Sequence, residues 1–141
     1  MKKTLVILMA LAGQVFAGGF FLQLGNPEAS AEARKLGAVL TIKAAGCHDP
    51  ATAKVMATAI GVVDGQRRTV PLEVKSLSEP GFFAVLGQVP KEGKWVVELV
   101  ATNGVQFTNT LVAVGPDGLD RLHKREDMHK FAASDIDAML R

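Results

Sequence analysis

Between Gly37 and Val114 the chain is divided into short apolar and β-branched runs separated by turn residues. This spacing is typical of an antiparallel sandwich, and it does not fit an alternation of strands with long helices. The pattern predicts about six strands. The predicted strands cover residues 38–44, 54–63, 70–75, 82–86, 94–101 and 105–114.

The turns between these runs carry specific chemistry. Asp64-Gly65 and Asn103-Gly104 reach positive φ easily, so each predicts a tight hairpin. Pro80-Gly81 has the two residues that favour the centre of a type II turn. Pro71 lacks a backbone N–H, so the strand that contains it is expected at an edge or in an irregular position.

The run 94–101 alternates between apolar and polar positions. Trp95, Val97 and Leu99 share one face, while Lys94 and Glu98 lie on the other. Because Trp95 is the single tryptophan and lies on the apolar face, it is predicted to anchor the core.

Two segments lie outside the predicted strands. The N-terminal arm, residues 18–36, contains Pro27 with acids early and bases late, which favours a short helical turn or an extended arm. The C-terminal tail, residues 116–141, is charged and is expected to be partly helical and loosely attached. Its weak apolar stripe consists of Leu122, Phe131, Ile136, Met139 and Leu140. The expected fold is therefore all-β, an immunoglobulin-like antiparallel β-sandwich over residues 37–115, with this arm and this tail.

The first 17 residues have the pattern of a secretory signal peptide. Lys2 and Lys3 precede a short apolar stretch, and Val15 and Ala17 suit the cleavage pocket. The apolar stretch is shorter than the roughly 20 residues of a membrane-spanning helix. We therefore expect cleavage after Ala17, a periplasmic or secreted mature chain, and no stable membrane anchor after cleavage.

Charge limits the classes of partner. The chain has 16 basic and 14 acidic residues, and removal of Lys2 and Lys3 with the leader leaves 14 of each. A mature chain without net positive charge is a poor ligand for nucleic acid, so no nucleic-acid partner is expected.

The chain has one cysteine, Cys47, so no internal disulfide can form. A free cysteine is usually a small buried side chain. In an oxidising compartment the thiol would alternatively join two chains, which predicts a possible Cys47-linked dimer.

Cys47-His48-Asp49 is the most concentrated reactive group in the sequence. Adjacent side chains diverge and seldom close one metal site, so His123 and His129 would have to complete it if the tail folds back. This defines a possible transition-metal site of Cys47, His48, His123 and His129. The alternative is an ordinary loop in which Asp49 caps the local backbone.

No catalytic residues are predicted. A Cys47 nucleophile would need a separately placed base and a third group that orients it, and the sequence shows no oxyanion-hole signature. No organic cofactor is expected either.

The blocks Glu79-Pro80-Gly81-Phe82-Phe83 and Glu92-Gly93-Lys94-Trp95-Val96-Val97 resemble the exported immunoglobulin-like domains called YtkA-like or FixH-like. The resemblance extends over about half of the mature chain. It implies a β-sandwich that serves as an accessory or binding module, and it carries no catalytic residue over. Copper-resistance sandwiches are a related comparison, but their histidine-rich and methionine-rich sites have no counterpart in residues 18–35.

The expected function is that of an exported, non-enzymatic module that binds a protein partner in the cell envelope, through an open sheet edge. The alternatives are a periplasmic metal-handling protein that uses Cys47 and His48, and a thiol-dependent enzyme.

Overall fold

The computed structural model describes residues 19–46 and 49–141. The predicted signal peptide, residues 1–17, and the pair Cys47-His48 lie outside the described residues. The described chain forms eight strands and two short α-helices. The strands are β1 (Phe21–Gly25), β2 (Leu40–Ala45), β3 (Lys54–Val63), β4 (Gln66–Ser76), β5 (Phe82–Leu86), β6 (Lys94–Asn103), β7 (Gln106–Gly115) and β8 (Gly118–Asp127). The helices are α1 (Ala31–Lys35) and α2 (Ala133–Met139), and single 3-10 turns cover Pro27–Ala29 and Pro50–Thr52.

Every strand pair is antiparallel, which confirms the all-β prediction. The strand order is β1-β2-β5-β4-β3-β6-β7-β8. Residues 66–72 of β4 pair with β3, whereas residues 73–76 pair with β5. The strand thus passes from one sheet to another just after Pro71, at the irregular position that this proline predicts.

The change of partner along β4 defines two sheets. Sheet I contains β1, β2, β5 and the second half of β4, and sheet II contains the first half of β4 with β3, β6, β7 and β8. Immunoglobulin constant-type domains have the strand order ABED in one sheet and CFG in the other. β1-β2-β5-β4 and β3-β6-β7 reproduce that order, and β8 is added beyond it.

The main core lies between the two sheets. Leu40 and Ile42 of sheet I meet Val97 and Leu99 of sheet II, and all four are fully buried. Trp95 is 4% exposed in the same cluster, and its Nε1 donates to the carbonyl oxygen of Glu92 over 2.6 Å. The predicted core anchor and the predicted apolar face of this strand are both confirmed.

A glycine makes room for the indole. Gly61 of β3 pairs directly with Trp95 of β6. A Cβ atom on Gly61 would overlap the Trp95 ring, so a larger residue cannot stand there without moving the indole.

The predicted turns form at or close to their expected positions. Asp64 and Gly65 have φ of 51° and 75°, which identifies a type I′ hairpin. The N–H of Phe82 donates to the carbonyl of Glu79 over 3.1 Å and Gly81 has φ 80°, as a type II turn requires. A second hairpin also forms, but Asn103 pairs with Gln106, so Gly104-Val105 stands at its centre, one residue beyond the predicted Asn103-Gly104.

Two strands were not predicted from the sequence. β1 lies within the segment expected to be an arm, although the short helix α1 follows it as the sequence suggested. β8 lies within the expected tail, so the sheet continues beyond residue 115. Leu122, placed in the predicted helical stripe, lies on β8 and is 92% exposed. That part of the stripe is wrong, because pairing with β7 decides the conformation and the charged β8 sequence shows no alternation.

The rest of the predicted tail is helical and firmly packed. α2 and the residues beside it cover the outer face of sheet II, where Phe131 and Ile136 join Ile60, Val96 and Leu111 in a second buried cluster. Leu140 is buried in the same cluster. The expectation of a loosely attached tail is therefore wrong.

Ion pairs tie α2 to both sides of sheet II. Asp135 accepts a hydrogen bond from Arg125 of β8 over 3.2 Å, and Asp137 pairs with Arg67 of β4. Arg125 also lies over the Phe131 ring, 5.4 Å from its centroid. These contacts are exposed, so they orient the helix while the apolar contacts provide most of the stability.

We predict that Gly61→Ala lowers the free energy of unfolding by about 1–3 kcal/mol, because the added methyl forces Trp95 out of its position. Chemical denaturation followed by Trp95 fluorescence measures the effect. Gly115→Ala is the matched control: the new Cβ would lie 3.8 Å from the Gly118 carbonyl oxygen, an ordinary contact. Equal stability of the two variants would contradict the close packing of Trp95 on β3.

We predict that Ile136→Ala destabilises the chain by about 2 kcal/mol or more, because it removes buried apolar atoms from the cluster under α2. Leu122→Ala makes a comparable deletion at an exposed site and should change stability by less than about 0.5 kcal/mol. Thermal and urea unfolding compare the two. A loosely attached tail would instead leave both variants as stable as the parent.

Candidate functional site

The connections between strands gather at the two ends of the sandwich. The hairpin end carries residues 26–39, 64–65, 87–93 and 116–117. The loop end carries the β2–β3 connection, the β4–β5 turn, the β6–β7 hairpin and the chain that follows β8. Each candidate site residue can be located relative to these ends.

Cys47 and His48 lie outside the described residues, but their neighbours on both sides are described. Asp49 belongs to the loop end, where its Oδ1 accepts from the N–H of Ala51 over 3.0 Å. The Asn103 side chain donates to the Asp49 carbonyl oxygen, also over 3.0 Å. Asp49 therefore caps the local backbone, as the alternative reading of this loop predicted.

His123 and His129 lie apart. Nδ1 of His123 contacts the Asp120 carboxylate, and Nδ1 of His129 lies 3.0 Å from Oδ1 of Asp127. The four-residue step from His123 to Asp127 along an extended strand is about 13 Å. Each imidazole thus has its own carboxylate partner, and the described residues contain no group of three or more His, Cys, Asp or Glu side chains suited to a metal.

His129 does lie at the loop end. Gly46 packs against the backbone of Gly19 and Phe20, and a Cβ atom on Gly19 would lie 3.8 Å from Sδ of Met128. Gly19 thus lies between Gly46, which precedes Cys47 in the sequence, and Met128, which precedes His129.

A bulge interrupts the outer edge of sheet II. Lys124 pairs with Val112, but the next pair along β7 joins Ala113 to Asp120, so residues 121–123 leave the ladder. The Asp120 carboxylate holds this bulge, since it accepts from the N–H of Leu122 over 3.1 Å and contacts His123. The bulge and the six charged side chains of β8 make this edge a poor template for a further strand.

The hydrogen bonds of the two histidines lower the pKa of their carboxylate partners. The side-chain hydrogen bond with His123 holds the pKa of Asp120 below its usual 3.8, and the bond with His129 does the same for the pKa of Asp127. Both carboxylates stay ionised in mildly acidic solution.

The outer edge of sheet I has the opposite character. β1, with the sequence Phe-Leu-Gln-Leu-Gly, contains no charge, no proline and no register shift. Phe21 is 41% exposed although it is a large apolar side chain. Such an edge offers unpaired backbone groups to another strand.

A cavity lies at each end of β1. One, of about 400 Å³, is lined by Gly25, Thr41, Phe82 and neighbouring residues of the α1 segment. The other, of about 410 Å³, is lined by Phe20, Phe21, Thr108, Glu126 and Met128 among others. The first cavity lies on the β2–β5 side of sheet I, whereas the second borders the outer side of β1, where a bound extended segment could place a side chain.

The sequence analysis predicted no strand at β1, the uncharged outer strand of sheet I. The signal was present in the apolar run 20–24 followed by the turn residues Gly25, Asn26 and Pro27. Met128 was likewise missed, because its position beside Gly19 depends on the pairing of β8.

Comparison with protein families, curated proteins and solved structures finds no match to this chain. Among the described residues, neither helix has the length and apolar character needed to cross a bilayer.

We predict that His123→Ala raises the pKa of Asp120 towards 3.8 and leaves the lowered pKa of Asp127, because each carboxylate has its own histidine partner. His129→Ala should do the reverse. Carbon-detected NMR titration of the side-chain carboxyls measures both. Since a lowered folded pKa stabilises the fold above the unfolded value, this contribution is lost as the pH falls from about 4 through the folded pKa. A joint shift of both carboxyls in either variant would contradict the separate pairing.

Proposed function

We propose that the chain is an exported binding module that captures an extended segment of a protein partner in the cell envelope along β1. The observation that carries the proposal is the contrast between the two sheet edges. β8 is charged and bulged, whereas β1 is uncharged, regular and bordered by a cavity at Phe20 and Phe21.

The geometry of β1 suits addition of a strand. Leu22 is buried in the core, while Phe21 and Gln23 are exposed on the other face. A segment that pairs with the free side of β1 would extend sheet I through backbone hydrogen bonds. One of its side chains would reach the cavity at Phe20 and Phe21, which would select among partner sequences.

Charge supports the same mode of binding. With equal numbers of basic and acidic residues in the expected mature chain, long-range attraction does not select a highly charged partner. Gln23 pairs with Lys43 of β2, and Lys43 Nζ lies 5.3 Å from the centroid of the Phe82 ring. This cation on the neighbouring strand is therefore already placed over an aromatic ring.

We predict that Gln23→Lys strongly reduces capture of the envelope partner, because a charge on an edge strand opposes strand addition. Gln66→Lys makes the same change at the exposed β3–β4 hairpin and should leave capture unchanged. The measurement is retention of envelope proteins on the immobilised mature chain, followed by amide hydrogen exchange of β1 with the partner identified. Equal retention by both variants, no retained protein, or an unprotected β1 in the complex would contradict the proposal.

The second candidate function, metal handling, is favoured by one observation. The chain leading into Cys47 packs beside Gly19, and Gly19 lies beside the thioether of Met128. Cys47, His48 and His129 with Met128 would offer sulfur and imidazole ligands, which suit Cu(I) or Zn²⁺. The contact of His129 with Asp127 would orient its imidazole for such a role.

We predict for this candidate that Cys47→Ala or His129→Ala abolishes binding of one Cu(I) or Zn²⁺ per chain, whereas His123→Ala retains it. Competition titration with a chromophoric chelator measures the affinity. Absence of binding in the parent, or loss of binding in His123→Ala, would remove the candidate. A non-reducing gel of the parent beside Cys47→Ala tests the Cys47-linked dimer in the same preparation.

A further inference from the structure

A large cavity lies at the hairpin end, far along the sandwich from Met128 and His129. Its volume is about 820 Å³. That volume falls within the roughly 300–1,000 Å³ of small-molecule sites in proteins. It opens between the ends of β6 and β7, the β5–β6 loop and the last residues of α2.

The inner part of this cavity is apolar. Val39, Val89, Val114 and Leu119 are half-buried, line it, and pack against the main core. Trp95 lies at its inner end and is 4% exposed. The cavity is thus an opening into the space between the two sheets, with a wall that favours hydrocarbon.

The rim carries mostly positive charge. Lys91 and Lys94 line the opening and are exposed, and Asp117 is the acidic side chain among the cavity's lining. Lys75, by comparison, has the Glu73 carboxylate within 3.5 Å. Among the described residues, Lys91 and Lys94 form no such ion pair. Unneutralised cations around an apolar opening attract an anion attached to a hydrophobic group.

We infer that the hairpin-end cavity binds a single-chain amphiphile with one anionic head group, of which a medium-chain fatty carboxylate is the simplest example. The hydrocarbon chain enters between Val39, Val114 and Leu119, and the carboxylate stays at the rim beside Lys91 and Lys94. The inference is independent of strand addition at β1, because the two sites share no lining residue.

The ligand would also act on α2. Met139 and Leu140 form one wall of the cavity, and Leu140 belongs to the cluster that holds α2 on sheet II. Occupation of the cavity adds contacts to this wall, so amide exchange of α2 should slow when the ligand is bound.

The first test uses the unmodified mature chain with decanoate, decanol and decyltrimethylammonium. Isothermal titration calorimetry gives affinity and stoichiometry, and Trp95, the single tryptophan, reports entry through its emission. We expect saturable binding of one decanoate, with decyltrimethylammonium weaker by about tenfold or more and decanol between them. No saturation up to about 1 mM decanoate, or equal affinity for the cation, would overturn the inference.

The second test reverses the charge of two lysines at the rim and, as a control, of two lysines away from it. Lys91→Glu/Lys94→Glu should weaken decanoate binding by about tenfold or more and remove the preference over decyltrimethylammonium. Lys54→Glu/Lys130→Glu changes net charge by the same amount at exposed residues that do not line the cavity, and it should bind decanoate as the parent does. Equal loss in both pairs would show general electrostatic attraction and overturn the site. The comparison of decanoate with decyltrimethylammonium on the parent tests the inference without the use of any variant.

Discussion

The structure depends on the burial of both faces of β6. On one face Trp95, Val97 and Leu99 enter the core between the sheets, and on the other Val96 lies beneath α2. Because a one-residue slip would exchange the two faces and turn Glu98 towards the core, the register of β6 is strongly specified. The contact of Trp95 with Gly61 adds a further constraint, since it joins β6 to β3 at a distance that only glycine permits.

The position of β6 explains the arrangement around it. β3 and β7 flank it. The β3–β4 and β6–β7 hairpins are both tight turns with a glycine at positive φ. β4 then changes sheets after Pro71, so that the chain can close the other side of the core with β5, β2 and β1. The residue without a backbone donor stands where the ladder changes partner, and little hydrogen bonding is lost.

The same topology leaves two edges and one open end, and their chemistry differs. The β8 edge is blocked by charge and by the bulge at residues 121–123, which Asp120 holds. The β1 edge has neither protection. At the hairpin end the apolar wall around Trp95 meets a cationic rim. Strand addition and amphiphile binding are thus proposed for different parts of one scaffold, whose rigid core holds both in place.

The sequence by itself determined the strands from Leu40 to Gly115, because β-branched runs, alternation and turn residues all favour the same local structure there. The type I′ turn at Asp64-Gly65, the type II turn at Pro80-Gly81 and the burial of Trp95 follow from the residues themselves. These features depend mainly on residues that are neighbours in the sequence, so the sequence predicts them.

Only the tertiary structure decided the rest. β8 is a strand because β7 offers it a partner, and its charged sequence gives no alternation that would predict this. α2 is held because Ile60, Val96 and Leu111 happen to form an apolar surface under it, three residues from three strands far apart in the sequence. The separation of His123 from His129, the exposure of β1 and the cavity beside Trp95 arise in the same way. Each depends on contacts between segments that are distant in the sequence. The hydrophobic pattern of one segment does not indicate which other segments pack against it.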